Sequence, residues 1–182
     1  MEKAGASEME AEVERKGLSE YAAAKPSAKF TPVNQYKAGT NGVWSVPCDA
    51  AFPSATQNEL NLEDIKTLYS NGCRLVCEGA NMPSTLEAID FMLAQKDFLF
   101  GPAKAANAGG VATSGLEMAQ NASMQKWTFD EVDSKLHRIM TNIFHDSYDT
   151  SVEFGEPGNL VLGANIAGFR KVADAMIDQG YV

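Results

Sequence analysis

The stretch RLVCEGANMPSTLEAIDFMLAQKDFLF, Arg74 to Phe100, decides the fold. Arg74 to Cys77 is a short apolar run of strand length, and Phe98 to Phe100 is another. Between them, Ser84-Thr85-Leu86-Glu87 has the Ser-x-x-Glu spacing of a capping box, and Leu86, Ile89 and Leu93 follow on one helical face. Two strands joined through a helix of this length run parallel, because the connection must cross over the sheet. Upstream the pattern repeats: Ser45 to Phe52 is a strand ending at Pro53, and Leu62 to Tyr69 is a helix with Asn61 as its N-cap. The expectation is an α/β domain with short parallel strands.

Further outward the chain is helical on one side and polar on the other. Thr128-Phe129-Asp130-Glu131 is a second capping box. Phe129, Val132, Leu136, Ile139, Met140, Ile143 and Phe144 then make an apolar stripe along a helix of about five turns. A last helix carries Ile166, Phe169, Val172, Ala173, Met176 and Ile177 on its face and stops at Gly180. Ser151 to Gly163, with Glu156-Pro157-Gly158-Asn159, reads as the loop between them. At the other end, the residues up to about Ala24 form a polar helix bounded near Pro26, and Lys25 to Gly42 is loop-like. A helix so poor in apolar residues has little with which to dock, which suggests that its neighbours lie outside this chain.

Composition narrows the function classes. The 182 residues hold 15 Lys and Arg against 24 Asp and Glu, a net charge of −9. That balance opposes nucleic acid and anionic lipid, which require clustered cations. No apolar run approaches the roughly 18 residues of a membrane span, and the charged N-terminus lacks a signal-peptide core, so a cytoplasmic location is expected. Cys48, Cys73 and Cys77 are odd in number and sit in apolar surroundings, as free thiols do in a reducing compartment. His137 and His145 lie eight residues apart on one helix, about 12 Å of rise, too far to share a metal ion.

Parallel sheets bind ligands at the carboxyl ends of their strands. Here those ends read Ser54-Ala55-Thr56-Gln57-Asn58-Glu59, Glu78-Gly79-Ala80-Asn81-Met82-Pro83, and Pro102 to Gly110 with Asn107 within it. Asn and Gly are common turn formers, which accounts for any one of these loops. Amides at three successive strand ends point instead to a dinucleotide site, since Asn and Gln offer both donor and acceptor to a carboxamide or a ribose. With Asn107 capping the next helix, Asn107, Val111, Ser114 and Met118 fall at i, i+4, i+7 and i+11 and form a ligand wall. Gly109 and Gly110 would let a ring or a carboxylate approach the backbone. Ser114-Gly115-Leu116-Glu117 is itself Ser-x-x-Glu, so Ser114 is alternatively a cap.

At these residues a family resemblance enters. WSVPCDAAFPSATQNEL from Trp44, CEGANMPST from Cys77, GPAKAANAGGVATSGLEMAQN from Gly101 and the tail LGANIAGFRKVADAM closely resemble the hexameric microbial and plant glutamate dehydrogenases. The likeness runs from about Glu8 to the end. It implies interconversion of L-glutamate with 2-oxoglutarate and ammonia, with NAD or NADP as hydride acceptor, and the overall likeness to the biosynthetic enzymes favours NADP. It further implies that Ala55, Thr56, Gln57, Asn81 and Asn107 line the nicotinamide and ribose part of the coenzyme site. Ser114 matches the serine that hydrogen-bonds the glutamate side-chain carboxylate, and Val111 the valine that packs on the substrate; this favours the ligand wall over the cap.

The resemblance also shapes the domain organisation. Residues 1–125 are expected to be the C-terminal part of a dinucleotide-binding domain, an incomplete Rossmann-like parallel sheet with flanking helices. Residues 126–182 are a C-terminal helical segment packing back on it, resembling helices that leave the nucleotide domain and meet the substrate domain. The substrate domain with its catalytic lysine and aspartate, the Gly-rich phosphate turn and the residue that selects the coenzyme have no counterpart here, and no G-x-G-x-x-G occurs. Lys104 is not taken as the catalytic lysine, nor is Ser114 a nucleophile, since no base stands beside it. The chain reads as the C-terminal fragment of a homohexameric parent and is expected to be inactive alone. The alternative is a truncated non-catalytic fragment, at most a nucleotide-binding or interaction module.

Overall fold

The computed structural model describes residues 18–28 and 30–180, and the chain divides into two compact units, Met1–Gly42 and Val43–Val182. In the first unit α1 is helical over the described residues 18–24. Its last turn closes as Lys25 N–H donates to the Tyr21 carbonyl at 3.0 Å, where the sequence places the end, ahead of a turn at Pro26. The part of the expected polar helix before residue 18 lies outside the described residues. A 3₁₀ turn, Val33–Gln35, leads on to Gly42, where a Cβ would collide with the Tyr36 ring.

The second unit holds β1 (Ala50–Ala51), α2 (Leu62–Ser70), β2 (Leu75–Cys77), α3 (Leu86–Ala94), β3 (Leu99–Gly101), α4 (Ala103–Ala106), α5 (Gly109–Ser123), α6 (Phe129–Glu153) and α7 (Leu160–Gln179). The sheet is parallel in the order β1-β2-β3, with Ala51 beside Val76 and Val76 beside Phe100. These three face the core with Leu60, Ile65, Leu68, Cys73, Ala88 and Met92. The α/β architecture and the strand and helix order agree with the sequence pattern.

Local details depart from it where hydrogen bonding is already committed. β1 is two residues long; upstream of it Pro47 has no N–H to carry a ladder further back, and Gly42–Ser45 coils as a 3₁₀ turn instead. Asn61 does cap α2, accepting from Glu63 and Asp64 N–H at 2.9 and 3.1 Å. The α3 cap, however, is Thr85 and not Ser84. Ser84 is tied into a bridge with Leu60, and its N–H donates to Glu78. The face of α3 turns accordingly: Ala88 and Met92 are buried, whereas Leu86 is 76 % exposed and Leu93 also faces outward.

The α6 capping box forms as expected. Thr128 N–H donates to Glu131 Oε2 at 2.7 Å and Glu131 N–H donates back to Thr128 Oγ1 at 3.3 Å. The Thr128 backbone N–H first, and its hydroxyl second, hold the Glu131 carboxyl below its ordinary value of 4.5. A lowered folded value means that the box stabilises the fold fully above about pH 4.5 and fades as pH falls through it. Thr128→Ala should cost about 1 kcal/mol at neutral pH in urea unfolding. An unchanged midpoint would show that the start of α6 does not depend on the box.

The far end of α6 differs from expectation. The helix continues to Glu153, so Ser151 is helical, and the connection to α7 is only residues 154–159. A polar stretch continues the helix because its hydroxyls are satisfied internally: Ser147 Oγ donates to the Ile143 carbonyl at 2.7 Å and Ser151 Oγ to the Tyr148 carbonyl at 2.6 Å. Ser147, Thr150 and Ser151 are buried. Opposite Ser147 stands Gly163 of α7, where a Cβ would run into the Ser147 carbonyl. The apolar faces are therefore less covered than expected. Phe169, Val172, Met176 and Ile177 of α7 are exposed, as are Phe129 and Phe144 of α6.

Candidate functional site

The three loops at the carboxyl ends of the strands are fastened to each other, the first to the second by main-chain bonds and the third to the second through side chains. The Pro53 carbonyl after β1 accepts from both Gly79 and Ala80 N–H after β2, at 2.9 and 3.0 Å. Asn58 N–H donates to the Met82 carbonyl and Leu60 N–H to the Pro83 carbonyl, each at 3.0 Å. Asn58 and Met82 take positive φ, 57° and 52°, where the two loops meet. After β3, Asn107 Nδ2 donates to the Ala80 carbonyl at 3.0 Å and ties the third loop to the second.

Two carboxylates organise these loops, and neither is among the residues that the sequence pattern singles out. Glu59 Oε1 accepts from Ala55 and Thr56 N–H at 2.7 and 3.2 Å, closing the first loop on itself. Glu78, only 3 % exposed, reaches two ways: Oε1 accepts from Ser84 N–H at 3.3 Å and Oε2 from Ala103 N–H at 2.7 Å. The signal that could have found Glu78 is an acidic residue directly continuing the apolar run Leu75-Val76-Cys77, a place that burial makes costly unless donors await it.

The expected site residues occupy this edge with different exposures. Ala55, Thr56, Gln57 and Asn81 are exposed, and Asn107 is half-buried. The structure links the loops of Thr56, Asn81 and Asn107 through the bonds above. It does not make Asn107 the cap of α5: Asn107 ends α4, and the α5 N-cap is Ala108, whose methyl group cannot accept a hydrogen bond. The Asn107 amide is already engaged by Ala80, which accounts for the difference.

Along α5, Val111 is 73 % exposed and Ser114 is also open, its Oγ donating to the Gly110 carbonyl at 3.2 Å. Ser114 lies inside α5 and is not its cap. Gly110 faces open space, but Gly109 does not: a Cβ there would touch Leu136 and Met140 of α6 at 3.6 Å. Gly109 thus serves helix packing, and only Gly110 leaves the backbone open.

The titratable side chains of the three loops are all occupied. Glu59 and Glu78 hold main-chain donors, and Lys104 pairs with Asn165 of α7. Burial pushes the Cys77 thiol up, away from a reactive thiolate. His137 is exposed beside Asp133, 3.7 Å away, and His145 is exposed further along α6. What the edge offers is orientation by neutral amides, hydroxyls and main chain, with no free acid or base among the described residues of these loops. A separate apolar cavity of about 360 Å³ lies between β2, β3 and α6, lined by Leu75, Leu99, Met140, Ile143 and Phe144; none of the expected site residues lines it.

Known proteins share this architecture and sequence. The model of the Glutamate/Leucine/Phenylalanine/Valine dehydrogenase family matches residues 6–180. The chain is 60 % identical over 169 residues to an NADP-specific glutamate dehydrogenase of Helicobacter pylori, covering 93 % of this chain and 38 % of that protein. It is 49 % identical over 166 residues to an NAD-specific glutamate dehydrogenase of Porphyromonas gingivalis, covering 90 % of this chain and 35 % of that one. The crystal structure of Plasmodium falciparum glutamate dehydrogenase matches with a TM-score of 0.82 and 46 % identity, over 91 % of this chain and 34 % of its own. The chain thus spans 38 % of the length of the Helicobacter relative. With the family's sequence carried through nearly every residue and its fold alongside, this chain belongs to the Glutamate/Leucine/Phenylalanine/Valine dehydrogenase family.

Proposed function

We propose that these residues are part of a glutamate dehydrogenase, which interconverts L-glutamate with 2-oxoglutarate and ammonia. The observation that carries this reading is the joined rim of strand-end loops, rich in neutral hydrogen-bonding groups and empty of free acids and bases. Such a donor set fits the carboxamide and ribose of a nicotinamide coenzyme. The coenzyme supplies hydride acceptance when bound. Ala55, Thr56, Gln57, Asn81 and Asn107 would hold its nicotinamide end, while Val111 and Ser114 on the open α5 face would meet the substrate, Val111 packing on it and Ser114 bonding its side-chain carboxylate. The work of these groups is orientation.

NADP is the coenzyme we assign, following the NADP-specific relative at 60 % identity over the NAD-specific one at 49 %. Residues 1–125 then belong to the dinucleotide-binding domain and 126–182 to the helical segment that packs back on it. The exposed Phe169, Val172, Met176 and Ile177 of α7 suit a helix with a further domain to meet. The parent is read as a cytoplasmic homohexamer. No helix among the described residues is long and apolar enough to cross a membrane.

The test is turnover in two chains. The longer polypeptide that contains these residues should oxidise NADPH in the presence of 2-oxoglutarate and ammonium, and this chain alone should not. Turnover by this chain would place the catalytic groups within it and overturn the assignment of a purely orienting role; an inactive longer polypeptide would overturn the dehydrogenase reading. Within the active parent, Ser114→Ala should raise the glutamate KM roughly 10- to 150-fold, the worth of about 1.5 to 3 kcal/mol for one hydrogen bond to a charge. The coenzyme KM should hardly move. A glutamate KM that stayed put would remove Ser114 from the pocket.

A further inference from the structure

Two of the three cysteines stand two residues ahead of neighbouring strands, Cys48 before β1 and Cys73 before β2. β1 runs beside β2 with Ala50 opposite Leu75, and the pairing extends backward as Arg74 N–H donates to the Asp49 carbonyl at 3.0 Å. One step further back, the same register sets Cys48 beside Cys73. Adjacent strands stand about 4.7 to 4.9 Å apart, within the roughly 4.4 to 6.8 Å between Cα atoms that a disulfide spans. Cys73 is buried in the core cluster, its Sγ donating to the Leu75 carbonyl at 3.3 Å, and Cys48 is half-buried and packs against that cluster. Cys77 is excluded as a partner of Cys73, being four residues further along the extended chain that enters β2, about 13 Å at 3.3 Å per residue. Its sulfur lies against Gly101 on the β3 side.

We propose that Cys48 and Cys73 form a modification site, oxidised by a small-molecule disulfide to an intrachain bond that ties the entrance of β1 to the entrance of β2. The half-exposed Cys48 attacks first. Its thiolate displaces one thiolate from the oxidant, forming a mixed disulfide on Cys48. The Cys73 sulfur then attacks Cys48 Sγ, its proton passing to the departing small thiolate, which leaves as a thiol. In sum, two protein thiols and one small disulfide give one protein disulfide and two small thiols. Burial pushes the Cys73 thiol up, which suits it to the second, resolving step and not to the first. The bond would brace β1, whose own ladder is only two residues long.

Oxidised glutathione is the probe. The native chain is incubated with it, quenched in acid, unfolded, and its free thiols are counted before peptide mapping without reductant. Of the three thiols, two should be lost and one, Cys77, should remain. Mapping should give a linked pair of peptides carrying Cys48 and Cys73, and a reductant should restore all three thiols. Cys77→Ser should yield the same linked pair and no free thiol. In the urea-unfolded chain the three cysteines can pair in three ways, so the Cys48 to Cys73 link should fall to a share of the products there. Glutathione retained on Cys48 with Cys73 still free would overturn the proposal. So would a native link through Cys77, links only between chains, or three unreacted thiols.

Discussion

Gly163→Ala is expected to lower the unfolding free energy by about 3 kcal/mol, the upper end of what one added methyl costs in a packed interior. Gly163 is buried in the first turns of α7, and its absent Cβ is occupied by the carbonyl of Ser147 on α6. That neighbour is backbone in the middle of a helix, so it cannot swing aside as a side chain would. The two helices must part, loosening the buried seam of Ser147, Thr150 and Ser151. The bond from Gly158 N–H to Ser151 Oγ, 3.1 Å, which shapes the turn between the helices, would be drawn out with it. Gly168, further along α7, provides the contrast, because a Cβ there meets nothing within 4 Å. Gly168→Ala should stabilise by about 0.5 to 1 kcal/mol through helix propensity alone. Urea unfolding followed by circular dichroism reads both. Midpoints moving in the same direction for the two variants would show that the α6 to α7 contact is not the tight one described.

Glu78→Ala should cost about 2 to 6 kcal/mol. The carboxylate is buried and accepts from two main-chain donors, Ser84 N–H and Ala103 N–H. Leaving each donor without its acceptor costs about 1 to 3 kcal/mol. Glu78→Gln should lose less, since an amide keeps one carbonyl oxygen but turns an NH₂ toward the other donor. The damage should also be local and visible. Amide hydrogens of Ser84 and Ala103 should exchange slowly in the native chain and quickly in Glu78→Ala. In the longer polypeptide the coenzyme KM should rise as the loops of Asn81 and Asn107 lose their spacing. Unchanged exchange at Ala103 would mean that Glu78 does not hold the third loop.

The fold was legible in the sequence because its signals are short in range. Helices begin where a side chain can cap them, as at Asn61 and Thr128, and strands appear as brief apolar runs between them. Where reading failed, a longer-range bond had already taken the group in question. Ser84 is drawn into pairing with Leu60, and Asn107 is drawn across to Ala80, so neither caps the helix its spacing suggests. The end of α6 was hidden for another reason: its packing uses hydroxyls and a glycine, which carry no apolar period. The apolar face of α7 was correctly seen as a face, but its covering is absent from the described residues. As for the site, the strand-end loops and their amides are visible in the sequence, whereas the roles of Glu59 and Glu78 depend on donors brought from other loops.

The bonds that close the rim also set an order of events during synthesis. Ala103 reaches Glu78 across 25 residues and Asn107 reaches Ala80 across 27. Neither bond can form until the ribosome has delivered both crossovers, and at about 5 to 20 residues per second each such span takes seconds to emerge. Until then Glu78 has only the Ser84 N–H to hold, and the second loop rests on the first alone. The joined rim is thus a checkpoint: a chain whose three loops are joined has, by that fact, completed the sheet beneath them.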